Sequence, residues 1–202
     1  MKVMSSKRVF DVLFSLLGIM LLIPLFVLVS ICIMIDSKGG VLYRQTRIGR
    51  NNAAFSLLKF RTMRIGADQA GELTIGLRDS RITPFGYFLR KYKIDELPQL
   101  FNILIGEMSF VGPRPEVSKY VNLYDVQQQR VLSVKPGITD WASITYINEN
   151  QLLATSANPE TFYIEQVIPD KIKQNLKYVD HHNFWIDMKI ILLTLKNIMF
   201  NR

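Results

Sequence analysis

The sequence predicts an α+β fold that is mainly helical and is shared between a membrane and the cytoplasm. Three observations support this prediction. A long uncharged apolar segment lies near the start of the 202-residue chain, short β-type runs follow it, and several helical patterns fill the second half. We therefore expect an N-terminal re-entrant membrane helix-break-helix over residues 1–37. A small globular cytoplasmic domain with interfacial amphipathic helices should follow over residues 38–202.

The apolar segment is predicted to be a retained membrane element. Residues 12–35 contain no Asp, Glu, Lys or Arg, and as a straight helix these 24 residues would measure about 36 Å. A hydrocarbon core is roughly 30 Å thick. Lys2, Lys7 and Arg8 resemble the basic start of a secretory signal, which is the competing interpretation. The apolar run is longer than that of a signal, and no small-residue cleavage site follows it.

Two features of this segment bear on its orientation. Pro24, near its middle, removes a backbone hydrogen bond and bends a helix. Basic residues flank both ends, so the positive-inside rule gives no clear direction for a simple span. The flanking residues are Lys2, Lys7 and Arg8 before the segment and Lys38, Arg44, Arg47 and Arg50 after it. A segment that enters the leaflet, turns at Pro24 and returns would keep both flanks on one face. A proline-containing span is the alternative.

The cytoplasmic domain is expected to begin with a β-hairpin. Two β-type runs, at residues 41–43 and 55–58, flank a polar stretch, and a polar loop follows over residues 66–80. Helices are predicted over residues 85–93, 98–106, 117–134, 162–176 and 184–200, with a stiff loop over 111–116, a turn at 136–137 and irregular structure over 145–160. The last helix is wide on its apolar side, so it lies either in the membrane interface or in the core.

The basic charge is concentrated just after the membrane segment. The net charge is +8, and residues 38–93 hold 12 of the 25 basic side chains but only 3 of the 17 acidic ones. Such a surface suits an anionic leaflet, a phosphorylated ligand, or both. No nucleic-acid-binding signature accompanies it, so nucleic acid is not an expected partner. The single cysteine, Cys32, excludes a disulfide framework and indicates a reducing compartment.

The densest group of functional side chains begins with two adjacent acids. Asp95 and Glu96 stand just ahead of Pro98, where a helix is predicted to start. Adjacent helical residues diverge by about 100°, so one carboxylate can attack while the other holds a metal. Mg²⁺ prefers one or two carboxylates with phosphate oxygens, and a helix N-terminus favours phosphate. A solvated capping pair is the alternative, because acids are common in any first turn.

Candidate phosphate-binding side chains surround the acid pair in the sequence. Arginine can hold phosphate through two parallel hydrogen bonds, and Pro113 and Pro115 restrict the direction of Arg114. Each of these residues alone is more typical of a protein surface, but as a set they favour phosphate binding. The set comprises Lys59, Arg61, Arg78, Arg81, Arg90 and Arg114.

Taken together, these motifs resemble the bacterial sugar transferase family. These are the small monotopic phosphoglycosyl transferases, or undecaprenyl-phosphate sugar phosphotransferases, that begin many surface-glycan pathways. The matching stretches are residues 7–11 (KRVFD), 43–50 (YRQTRIGR), 59–63 (KFRTM), 79–83 (DSRIT), 95–100 (DELPQL), 108–116 (MSFVGPRPE), 136–139 (PGIT) and 187–190 (DMKI). Each stretch alone is weak, but they occur in the family's order and cover nearly the whole chain.

The resemblance implies a reaction and a location. It implies that Asp95 is a nucleophile and Glu96 a Mg²⁺ ligand. The donor would be a UDP-sugar and the acceptor polyprenyl (undecaprenyl) phosphate: Asp95 attacks the β-phosphate, UMP leaves, and the lipid phosphate takes the phospho-sugar. The membrane segment would be a re-entrant hairpin in the bacterial inner membrane, with the catalytic domain on the cytoplasmic face. For the oligomeric state, the expectation leaves both a monomer and a homodimer open.

The sequence also departs from the family's pattern. The family often has Gly directly after PGIT and Gln three positions further on, where this chain has Asp140 and Ser143. The stretch that follows differs as well, so no donor sugar is predicted. His181 and His182 have no third ligand at a suitable spacing, which argues against a zinc site. The alternative function is a non-catalytic membrane adaptor whose basic face binds anionic lipid.

Overall fold

The computed structural model describes residues 6–67, 73–76 and 79–200. Its first element is helix α1, Ser6–Asp36, and within the described residues this is the one helix long and apolar enough to cross a membrane. Pro24 lies inside α1. Proline lacks an N–H but has a φ compatible with a helix, so it removes one bond without ending the turns around it. The prediction of two helices separated by a break is therefore corrected to one continuous helix.

The predicted β-hairpin is confirmed and is longer than expected. Strand β1, Leu42–Ile48, pairs antiparallel with β2, Ala54–Phe60. The connection contains Asn51 and Asn52, both with positive φ, which asparagine adopts more readily than most residues.

The structure contains a second, parallel strand pair that the sequence did not predict. Strand β3, Ser109–Val111, pairs with β4, Gly137–Thr139, where the sequence predicted only a loop beginning at residue 111 and a turn at residues 136–137. The backbones are very close here, because a Cβ added at Gly137 would lie 2.2 Å from the backbone nitrogen of Gly112. Glycine at this position therefore permits the pairing.

The rest of the described chain is helical. The remaining helices are α2 (Pro84–Lys91), α3 (Gln99–Ile105), α4 (Ser118–Val121), α5 (Trp141–Thr145), α6 (Glu149–Ala154), α7 (Pro159–Phe162), α8 (Ile168–His181) and α9 (Phe184–Phe200). Short 3₁₀ turns lie at Arg50–Asn52, Ile94–Glu96 and Gln128–Ser133, and a π-helical turn lies at Tyr163–Val167. The predicted helices over 85–93, 98–106 and 162–176 are confirmed with shifted bounds, and the helix over 184–200 is confirmed with the predicted bounds. The mainly helical α+β fold class is confirmed with them.

Two predictions for the middle of the chain are wrong. The single helix expected over 117–134 is interrupted between α4 and the 3₁₀ turn. Asp125 and Gln128 each accept the other's backbone N–H through a side-chain oxygen, at 2.8 and 3.0 Å, and this reciprocal capping starts a new turn. The region 145–160, expected to be irregular, contains α6 and the start of α7. Asn158 caps α7 by accepting the Thr161 N–H.

Helix α1 packs along the globular domain rather than away from it. Ile19 joins a buried cluster with residues of β2 and α3, and Val29 and Ile33 join another with Phe60 and Leu89. The opposite face of α1 leaves large apolar side chains exposed, with Leu21 and Ile35 more than 80% exposed. One face of the helix is therefore part of the core, and the opposite face is an exposed apolar surface.

Both ends of α1 are held by the same globular domain. At its start, Lys7 pairs with Asp187 of α9, and Arg8 donates to the Ile103 and Leu104 carbonyls at the end of α3. At its finish, Arg61 of the segment after β2 donates to the Ser37 and Lys38 carbonyls. Cations at a helix C-terminus stabilise its unpaired carbonyls.

Helix α9 combines the two alternatives considered for it. Asp187 and Ile190 are buried against the domain. Trp185, Met199 and Phe200 are each about 70% or more exposed. The helix thus contributes one face to the core and presents an apolar face outward, as an interfacial helix does.

Candidate active site

The acid pair lies in a tight turn between α2 and α3. Lys93 adopts a left-handed conformation with φ 55° and reverses the chain before the 3₁₀ turn that carries both acids. Asp95 and Glu96 are only 6% and 8% exposed. The alternative of a solvated capping pair is therefore wrong.

Glu96 is held by two cations from separate parts of the fold. Arg114 donates from Nη2 to Oε1 at 2.5 Å and from Nη1 to Oε2 at 3.1 Å, so its guanidinium contacts both carboxylate oxygens. Lys59 of β2 places its Nζ 3.7 Å from Oε1. Burial by itself raises the pKa of the Glu96 carboxyl, but Arg114 and Lys59 outweigh it and hold that pKa well below its usual range. Glu96 is therefore a fixed anion.

Asp95 is buried beside this pair but is much less satisfied. Its Oδ1 atom is inaccessible to solvent and has no hydrogen-bond partner within the described chain. Burial, and then the charge of Glu96, raise the pKa of the Asp95 carboxyl. The adjacent acids thus have different environments, and their division into nucleophile and metal ligand stays a prediction. An unpaired buried carboxylate oxygen is costly and is typical of functional sites.

Besides Arg114, two predicted cations, Lys59 and Arg90, lie close to the acid pair. Burial lowers the pKa of the Lys59 ammonium to about 8, although the charge of Glu96 opposes this effect. Arg90 of α2 donates to the Thr62 and Thr74 hydroxyls at 2.8 and 3.1 Å. Its charge acts on Asp95, since Arg90 is among the groups that lower the pKa of that carboxyl. Lys59, Arg90 and Arg114 therefore form the cationic side of the site.

The other predicted arginines are engaged elsewhere. Arg61 is buried and binds the carbonyls at the end of α1, as described above. Arg81 pairs with Asp79 and donates to the Leu73 carbonyl at 2.6 Å. Both guanidiniums are therefore used within the fold, and a direct role in substrate binding stays a prediction. Arg78 lies outside the described residues.

The loop that carries Arg114 is positioned by the β3–β4 pair. Gly112 donates to the Thr139 carbonyl at 3.1 Å, which continues the pairing as far as Pro113. Asp140, directly after β4, then accepts the backbone N–H of Arg114 at 3.0 Å. Sequence reasoning noted Asp140 only as a departure from a family pattern. It follows the predicted Pro-Gly turn by three residues, which gives no local signal of its role, and its partner is 26 residues away in the chain.

The donor set around the acid pair is compatible with a magnesium ion. Magnesium is bound by one or two carboxylates together with phosphate oxygens and water, rather than by an all-protein cage. Asp95 and Glu96 supply two carboxylates, and no larger acidic or histidine cluster occurs in the part of the chain that the structure describes. Each Glu96 oxygen accepts one N–H from Arg114 and keeps a further lone pair. Glu96 can therefore hold a cation without releasing Arg114.

Comparison with known proteins decides the family. The family model described as "Bacterial sugar transferase" matches residues 2–201. The chain belongs to this family. An undecaprenyl-phosphate glucose phosphotransferase of Komagataeibacter xylinus is 36% identical over 98% of the chain and 37% of the relative. A UDP-glucose:undecaprenyl-phosphate glucose-1-phosphate transferase of Caulobacter vibrioides is 34% identical, over 96% of the chain and 69% of the relative.

A third relative widens the range of sugars named in the family. A UDP-N-acetylgalactosamine-undecaprenyl-phosphate N-acetylgalactosaminephosphotransferase of Aeromonas hydrophila is 33% identical over 96% of this chain and 43% of its own length. The bacterial sugar transferase described here spans only about two fifths of several such relatives. Its acid pair, arginines and α1 all lie inside the matched region.

Proposed function

We propose that this protein transfers a sugar 1-phosphate from a UDP-sugar to undecaprenyl phosphate through a covalent intermediate on Asp95. The observation that carries the proposal is the contrast within the buried acid pair. Glu96 is fixed by Arg114 and Lys59. Within the described residues, Asp95 instead keeps an unpaired carboxylate oxygen, near Lys59 and Arg90. A carboxylate that has already lost its water shell is suited to attack a phosphorus atom brought next to it.

In the first half-reaction, a carboxylate oxygen of Asp95 attacks the β-phosphorus of the donor. The new bond joins the Asp95 oxygen to phosphorus, and the bond between that phosphorus and the bridging oxygen breaks. The bridging oxygen and its electron pair leave with UMP, so no proton has to be supplied. Arg114, Lys59 and Arg90 provide positive charge for the diphosphate and for the leaving phosphate.

In the second half-reaction, a phosphate oxygen of the polyprenyl phosphate attacks the same phosphorus. The bond to Asp95 breaks, the carboxylate is restored, and the product is a polyprenyl diphosphate sugar. The relatives named after undecaprenyl phosphate support this acceptor. The product would initiate assembly of a surface glycan.

Magnesium is part of the proposal. Glu96, with Asp95 nearby, would hold the ion, and the bound ion would supply charge neutralisation for the donor diphosphate. The protein's own contribution is to keep Glu96 ionised. The charges of Arg114 and Lys59 achieve this against the opposing effect of burial.

We also propose that α1 enters the cytoplasmic leaflet and does not span the bilayer. The 31-residue helix would measure about 46 Å if straight, yet Lys7 at its start and the Lys38 carbonyl just after its end both bind the same domain. A helix that spanned the bilayer would place its two ends on opposite sides of the hydrocarbon, roughly 30 Å apart. A domain on one side of the membrane would then not bind both ends. In the proposed arrangement, the exposed apolar face of α1 would lie among the acyl chains, with the catalytic domain at the headgroups.

Trapping the intermediate tests the mechanism. Enzyme mixed with a UDP-sugar, without lipid acceptor, should release up to one UMP per protein and gain the mass of one phospho-sugar. Peptide mapping should place that adduct on Asp95. Asp95→Asn should form no adduct, whereas the matched control Asp180→Asn, in an exposed ion pair, should behave as wild type. Absence of UMP without acceptor, under conditions of full turnover with it, would rule out the Asp95 intermediate.

The same assay separates the enzyme from a membrane adaptor. An adaptor would bind anionic lipid through the basic face and would not need a buried acid pair, which costs free energy to desolvate. No UMP release from a panel of UDP-sugars with polyprenyl phosphate and Mg²⁺ would favour the adaptor.

Cysteine labelling tests the membrane arrangement. In a cysteine-free background, Ser6→Cys and Gly40→Cys place thiols just before and just after the apolar segment. In intact cells, an impermeant maleimide should label neither variant, and lysed cells should label both. Labelling of only one position from outside would contradict the proposal that α1 stays in the cytoplasmic leaflet.

A further inference from the structure

Asp140 is the most completely buried carboxylate in the neighbourhood of the site. It is 0% exposed and stands directly between β4 and α5. Its Oδ1 accepts the Ser143 N–H at 2.6 Å and caps α5, and its Oδ2 accepts the Arg114 N–H at 3.0 Å. One carboxylate thus joins the start of a helix to the loop that carries Arg114.

The Arg114 backbone depends on this contact more than an ordinary loop residue would. Pro113 and Pro115 have no N–H, so Arg114 offers the only backbone donor in this three-residue stretch. The backbone hydrogen bonds between the two strand segments end with Gly112 and Pro113, and none of them involves the Arg114 N–H. A buried backbone N–H without a partner is unfavourable, and Asp140 supplies that partner.

Arg114 in turn sets the position of the Glu96 carboxylate. Its guanidinium contacts both oxygens of Glu96, and Nη1 also lies 3.4 Å from the Ile138 carbonyl oxygen. The direction of the guanidinium is therefore fixed by its backbone, by Glu96 and by Ile138 of β4. Asp140 makes no hydrogen bond to Asp95 or Glu96 and acts only through Arg114.

We infer that Asp140 is a positioning residue for the transfer reaction, holding the Arg114 loop so that its guanidinium meets Glu96. The inference rests on the proposed function. Asp140 has a second, purely structural task, the capping of α5, and the experiment has to separate the two.

Asp140→Ser makes that separation. Serine is as good an N-cap as aspartate, so α5 should keep its cap. Its single, shorter hydroxyl cannot also reach the Arg114 N–H. We expect the turnover number to fall about 10- to 100-fold with a much smaller change in KM, because small displacements of positioning groups cost rates of this order. Asn158→Ala, which removes the cap of α7, is the matched control and should leave the turnover number unchanged.

A double-mutant cycle identifies the route of the effect. If Asp140 acts through Arg114, then Asp140→Ser should have little further effect in an Arg114→Lys background. Independent, multiplicative effects of the two substitutions would contradict the inference. Turnover of Asp140→Ser within twofold of wild type would also overturn it.

Hydrogen exchange of the Arg114 amide tests its contact with Asp140 without depending on turnover. The Arg114 amide should lose protection in Asp140→Ser and keep it in Asn158→Ala. Unchanged protection in both variants would overturn the inference even if activity changed. If protection is lost but the wild-type protein releases no UMP from any donor, the contact is established and the proposed function, with the positioning role in it, fails.

Discussion

Replacing Arg114 by lysine tests the geometry of the Glu96 pair while keeping its charge. Arg114 makes two charge-assisted hydrogen bonds to Glu96, and a lysine ammonium at the end of a flexible stem can replace at most one of them with comparable geometry. A hydrogen bond to a charged group contributes about 1.5–3 kcal/mol. Because the Arg114 side chain is 32% exposed, the lower part of that range applies, about 1.5–2 kcal/mol.

In the proposed mechanism the transition state needs the Arg114–Glu96 pair in this geometry. We therefore expect the same free energy to be lost from transition-state stabilisation, which is about 10- to 30-fold in kcat/KM at 1.36 kcal/mol per tenfold. The assay is UMP release with donor, polyprenyl phosphate and Mg²⁺ over a range of donor concentrations. Arg130→Lys is the matched control, since its ion pair with Asp180 is about half exposed, and its rate should stay within about threefold of wild type. An Arg114→Lys enzyme with wild-type kcat/KM would show that the second hydrogen bond from residue 114 to Glu96 does not contribute to the reaction.

Two other predictions concern the metal and the anchoring of α1. Glu96→Gln should lose most activity, and excess EDTA should abolish wild-type turnover, because in the proposed mechanism Glu96 and diphosphate oxygens would form an oxygen-only site; full activity in EDTA would exclude a divalent ion. Asp187→Ala should destabilise the protein by about 2–3 kcal/mol, since Asp187 is 6% exposed and accepts from Lys7 and from Tyr178. Thermal unfolding should show this as a lower midpoint, whereas Asp180→Ala, at an exposed pair, should change the midpoint little; equal shifts would contradict the estimate.

Much of the fold followed from local patterns. The uncharged run ending near Asp36, the hairpin and the amphipathic helices were predictable because apolar spacing and turn residues are local signals. The helix expected over 117–134 was wrong because the mutual capping of Asp125 and Gln128 outweighs an apolar pattern that continues through them. The β3–β4 pair was missed because three-residue strands far apart in the chain have no periodicity to detect.

The candidate site divides in the same way. The sequence was sufficient to nominate Asp95, Glu96 and Arg114, since the acid pair, the set of basic side chains around it and the resemblance to a known family all indicated the same site. It could not show that Arg114 pairs with Glu96 rather than with Asp95. Nor could it show that Arg61 binds the carbonyls at the end of α1 and does not contact the acid pair. Those outcomes depend on where β2, α2 and the β3–β4 pair place side chains relative to one another.

The sequence by itself determined that the protein has a membrane-length apolar segment with basic flanks, a basic domain and a pair of adjacent acids. The tertiary structure decided that both ends of α1 bind one domain. It also decided that Arg114 pairs with Glu96 rather than with Asp95, and that Asp140 accepts the backbone N–H of Arg114. The physical reason is the separation along the chain between the residues that interact. Composition and periodicity act within one element, whereas these contacts join residues 18 to 180 positions apart, and burial then sets the charge state of each group.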